Sequence, residues 1–166
     1  MSLSQTYAVT MSNQTVVADA TLVIVRAATA YASRGSILEV LRIMVSQQGT
    51  STSQQLGIIC GQKASAFGTY TSTTPAPLAI GTVASAIAGG TAGAAATSGT
   101  DASAEGAGTV TETWTEGFNN LNGYLWVPTP EERVIIGPDL AFIVKLRGTP
   151  TTLTGWNATL VFQELT

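Results

Sequence analysis

The chain has 166 residues, of which 45% are hydrophobic and 17 charged, and a net charge of −3; it is long enough to bury a core and too apolar to be disordered as a whole. Its five Arg and two Lys are scattered and form no basic stripe for phosphates, so neither composition nor charge points to nucleic acid. There is no histidine and one cysteine, Cys60, which excludes Ser-His-Asp and Cys-His chemistry, leaves no Cys/His set for a zinc site and rules out an internal disulfide.

Residues 1–15 are polar with few anchors and read as an N-terminal arm or a first edge strand; no signal-peptide pattern opens them. Val16–Val17 and Thr21–Val25 read as strand, because β-branched side chains fit a pleated surface. Ala27–Ala32 is ambiguous: Ala favours helix, but the segment is short and runs into the turn signal Ser33–Gly35. Ser36–Ser46 places Ile37, Glu39, Leu41, Ile43 and Val45 on one face and Leu38, Val40, Arg42 and Met44 on the other. Apolar residues surround the segment rather than forming one stripe, which predicts a strand buried on both faces in preference to a helix. Leu56–Gly61 is predicted as the returning strand of a hairpin, with Cys60 a buried small hydrophobe rather than a reactive thiol. The apolar windows Thr21–Val25 and Ile37–Val45 are far too short to cross a membrane as helices.

Residues 66–80 form an irregular strand and a loop limited by Pro75 and Pro77. Residues 81–108 contain ten Ala and seven Gly, with only Val83 and Ile87 as larger apolar side chains, and read as a long flexible loop. The remainder is β: Thr109–Glu116, Tyr124–Val127, Arg133–Ile136, then Leu140–Arg147 and Trp156–Gln163, both with alternating apolar residues. The whole of 1–166 is expected to be a single all-β domain, a jelly roll or β-sandwich of about eight antiparallel strands.

Chemistry-bearing groups are few. Glu112 with Glu116, Glu131 with Glu132, and Asp139 are the only candidates for paired acid–base work, and none lies in a motif. A Ser–Lys pair needs Lys145, expected to point outward from a strand, or Lys63, expected in a loop. No Asp-rich calcium loop is present, and the glycines at 89–93 lack the lysine and the strand-to-helix setting of a phosphate cradle. No enzyme activity, cofactor, metal, small-molecule substrate or membrane contact is expected. A surface of Thr, Ser, Asn and Gln keeps monomers apart poorly and suits a protein that lives in an assembly. Tyr7, Val9, Trp114, Trp126 and Trp156 are the candidate interface residues, with core packing the competing role for each tryptophan.

The segment ERVIIGPDLAFIVKL (Glu132–Leu146), a Pro loop, and NATLVFQE (Asn157–Glu164) resemble the closing strands of the jelly-roll capsid decoration (cement) proteins of tailed bacteriophages. Ile37–Val45 with Leu56–Cys60 is similar to their early hairpin. The resemblance covers about two thirds of the chain and is one of pattern. It implies a homotrimer on the outside of a virion capsid, made in the host cytoplasm, that contacts the major capsid protein and bridges capsomers. A carbohydrate- or receptor-binding β-domain of a virion fibre is the alternative.

Overall fold

Short segments of alternating polarity become strands throughout the computed structural model, which describes residues 5–19, 21–28, 37–79, 88–89 and 97–165. In chain order these are β1 (Gln5–Gln14), β2 (Thr21–Arg26), β3 (Ile37–Gln47), β4 (Gln55–Lys63), β5 (Thr69–Ser72), β6 (Ala76–Pro77) and β7 (Ala88–Gly89). Then come β8 (Thr97–Ala104), β9 (Val110–Asn119), β10 (Tyr124–Trp126), β11 (Ile135–Ile136), β12 (Ala141–Arg147) and β13 (Trp156–Leu165). Eight of them build two facing sheets, β1-β13-β3-β10 and β2-β12-β4-β9, with the remaining strands added at their edges. The chain changes sheet between consecutive members of this set except at the step from β4 to β9. That is the double Greek key of a jelly roll, and the all-β sandwich expected from the pattern is what forms.

The main core lies between the sheets. Strand β13 is central in the first: Leu160 pairs with Val9 on one side and with Ile43 on the other. All three residues are buried, and Phe142, Val144 and Leu146 of β12 approach from the opposite sheet. Glycine is demanded at Gly155, where φ is +81° and a Cβ would stand 2.0 Å from the Gln48 carbonyl oxygen.

Several expectations need correcting. Strands β3 and β4 are not a hairpin: they lie in opposite sheets, so the connection at 48–54 crosses the sandwich. Periodicity reports which face is apolar, not which strand pairs with it. Nor is β3 buried on both faces. Leu38 and Val40 point inward, then a bulge between Val40 and Arg42 shifts the phase and Ile43 and Val45 point inward instead. The bulge leaves both Leu41 and Arg42 half-buried on the outer face. Of the two readings of the N-terminal segment, the edge strand holds over Gln5–Gln14 and the arm does not: β1 pairs along β13 and buries Tyr7, Val9 and Met11. Val16–Val17 are in no strand, although Val16 is buried and its N–H donates to the Leu153 carbonyl.

The loop expected over 81–108 holds a strand at β8, which pairs with β2 from Thr97–Arg26 to Thr100–Val23. Its small residues allow close packing: Gly99 has no room for a Cβ because the Tyr70 ring lies against it. Residues 81–87 and 90–96 of that tract, and residues 29–32 of the ambiguous Ala27–Ala32 segment, lie outside the described residues. The insertion between β4 and β9 covers the outer face of the second sheet. Phe67, Tyr70 and Ala102 pack on Ile24, Ala141 and Ile143 to make a second, smaller core. That explains why Thr21–Arg26 is apolar without alternation: β2 is buried on both faces. Glu105 fastens the insertion. Its carboxylate accepts the Thr21 N–H at 2.5 Å and the Thr21 hydroxyl at 2.7 Å, with Lys145 Nζ 3.4 Å away.

Candidate interaction surface

Tyr7, Val9 and Trp156 are each 0% exposed, so none can contact a partner, and as interface residues all three are corrected. Tyr7 packs against Phe162, with centroids 5.9 Å apart. Trp156 meets Phe118 edge-on at 6.5 Å and donates its indole N–H to the Thr152 carbonyl at 3.0 Å. Alternation along β1 and β13 marks a face, and only the opposing sheet shows that the face points inward.

The structure does bring Trp114 and Trp126 together. They come from the edge strands β9 and β10 of the two sheets, and their rings stack 4.4 Å apart at 27°. Trp114 also packs on Phe142 and donates its N–H to the Tyr124 hydroxyl at 3.1 Å. Burial pushes the Tyr124 pKa up to about 12, against the opposing effect of the Trp114 hydrogen bond. Both tryptophans are half-buried against the core, so they buttress this corner of the sandwich.

The carboxylates are spread over the surface and do not converge on a cleft. Glu112 pairs with Arg147 at 2.9 Å, Asp139 pairs with Arg26, and Glu131 and Glu132 sit exposed on a 3-10 turn at Pro130–Glu132. Lys63, expected in a loop, is a buried residue of β4 whose ammonium donates to the Glu105 carbonyl. Burial lowers its pKa, and Glu105 opposes that shift. Cys60 is fully buried, and burial with the nearby Glu116 charge pushes its thiol pKa far up. Among the described residues no three His, Cys, Asp or Glu gather as metal ligands, and no helix is long and apolar enough to cross a membrane.

Two open clefts stand out among the described residues. One, of about 560 Å³, is lined by residues 64–69 with Arg26, Gly106 and Asp139; there the Arg26 guanidinium sits 4.4 Å over the Phe67 ring while ion-paired to Asp139. The other, of about 330 Å³, lies between β3 and β10 and is lined by Met44, Tyr124 and Leu125 among others.

This second cleft belongs to a surface that sequence reasoning missed. Seven large apolar side chains are exposed among the described residues, and four fall on one sheet edge: Leu121, Leu125, Val127 and Ile135. Leu125 is 65% and Val127 63% exposed, and Leu125 stands across from half-buried Met44. Ile135 stands across from Glu39, whose carboxylate meets Arg133 at 3.5 Å. Arg42 lies between these two rows, opposite Val161, and its Nε is buried without a hydrogen-bond partner among the described residues. An apolar strip around a half-buried cation that has no ion pair among the described residues is chemically suited to contact another protein, since contact removes the apolar area from water and can satisfy the guanidinium. The signal was present in Leu125 and Val127, at the end of a short strand stopped by Pro128, but a three-residue strand gives no alternation from which to read a face.

Comparison with protein families, with curated proteins and with solved structures returns no match to this chain.

Proposed function

We propose that this chain is a structural virion protein that decorates the outer surface of a bacteriophage head as a homotrimer and stabilises the shell by bridging capsomers. The observation that carries the reading is the exposed apolar strip from Leu121 to Ile135 on one edge of a jelly roll, a surface suited to assembly. The rigid two-core body and the pattern of the closing strands support it. Many weak contacts repeated over a symmetric shell would add up through avidity. The carbohydrate-binding alternative has less to stand on: Trp156 is buried, and Trp114 and Trp126 stack on each other instead of offering a platform.

Light scattering over a range of protein concentrations tests the assembly. A stable species near three times 17.0 kDa is expected, and a monomer at every concentration would overturn the reading. Co-sedimentation with heads of the phage that encodes the chain tests the capsid contact; failure of a verified trimer to bind them would remove the decoration role and leave the assembly.

A further inference from the structure

We propose that the outer face of β3, β10 and β11 is the contact between copies of this chain, and that Arg42 takes the carboxylate of Glu131 from the neighbouring copy. The inference rests on the assembly reading above and names its contact.

Charge complementarity selects the occupant. The described cations Arg26, Arg133, Lys145 and Arg147 each have a carboxylate partner within the chain, and Lys63 donates to a carbonyl. Arg42 takes part in no ion pair among the described residues, although its Nε is buried where water cannot serve it. The β3 bulge holds Arg42 on the outer face next to Leu41. Across from it Val161 is only 4% exposed, so half-buried Arg42 stands beside a buried apolar side chain, and a carboxylate partner there is worth more than in open water.

Glu131 is the complementary group. It is exposed, has no ion pair among the described residues, and projects from the turn that joins β10 to β11. Cation and carboxylate therefore border one apolar strip without meeting inside one chain. Packing the strip of one copy on the next lets each Arg42 meet a neighbour's Glu131. Because each copy offers one of each, the contact can close into a ring.

The test is a charge swap read by sedimentation equilibrium, with circular dichroism confirming that each variant is folded. Arg42→Glu and Glu131→Arg are each expected to weaken association at least tenfold, since each sets like charges face to face. The double variant, Arg42→Glu with Glu131→Arg, should recover association. Leu125→Ser, on a side chain open to solvent, should weaken it in a fully folded protein. If the wild type is multimeric and the single variants and Leu125→Ser stay multimeric, the contact lies elsewhere and this inference alone falls. If the single variants dissociate and the double variant does not recover, the strip is the contact and the Arg42–Glu131 pairing is overturned. A wild type that never associates removes the assembly reading together with this inference.

Discussion

Individual side chains divide this protein into groups that hold the core and groups that face out. Trp156 is fully buried, with one polar atom and that atom satisfied. Replacing it with Ala should cost about 3–5 kcal/mol of stability, because a cavity remains where the ring was. Urea unfolding measures this, and a loss under about 1 kcal/mol would show that the site collapses freely. Cys60 and Tyr124 both hold their protons more tightly when folded than when unfolded. The native state then binds more protons than the unfolded state at high pH. Their contribution to stability is therefore intact below pH ~8.5, where unfolded cysteine begins to ionise, and is lost as pH rises beyond it. Native protein at pH 8 should leave the Cys60 thiol unreacted toward a thiol-specific reagent, while urea-unfolded protein reacts at once. The Cys60 environment was legible in its sequence, inside an apolar run. The roles of Tyr7 and Val9 were not, because an alternating strand has two faces and its sequence does not say which one is covered.

At the level of elements, Glu105 ties the insertion between β4 and β9 to the second sheet. Glu105 accepts two hydrogen bonds from Thr21 and faces Lys145. Glu105→Ala should loosen residues 64–109 by about 2 kcal/mol, the scale of hydrogen bonds to a charged group. Hydrogen exchange checks it: β5 and β8 amides should exchange faster while β13 amides keep their protection. Uniform loss of protection would mean that the insertion and the main sandwich unfold together. Strand β9 carries a different device. It ends its sheet, is mostly exposed over ten residues, and has no strand on its outer side among the described residues. Glu112 and Glu116 keep that edge from pairing with another copy. Glu112→Thr with Glu116→Thr should raise light scattering on storage, with no change in the thermal midpoint. Strand identity was readable for most of these elements from period-two alternation and β-branched content. Strand β8 escaped, because a tract of Ala, Gly, Ser and Thr has the composition of a linker and becomes a strand only against the edge of β2.

For the whole molecule, self-association ties stability to concentration. If copies pair through the β3–β10–β11 face, the thermal midpoint should rise with protein concentration by mass action, and Arg42→Glu should abolish that rise. A midpoint independent of concentration in the wild type would count against any stable assembly. The sequence by itself determined the class: short alternating segments rich in β-branched residues specify a two-faced β-protein. Those properties are local, written in side-chain identity and in the two-residue period of a strand. Only the tertiary structure decided the rest. It put β3 and β4 in opposite sheets, made Gln5–Gln14 a strand along β13 where the sequence left arm or edge strand open, and folded the insertion over β2 and β12. It also left Leu125, Val127, Ile135 and Arg42 on the outside. The physical reason is that burial belongs to pairs of surfaces. A side chain is inside only when something distant in the sequence covers it, and no local pattern names that partner.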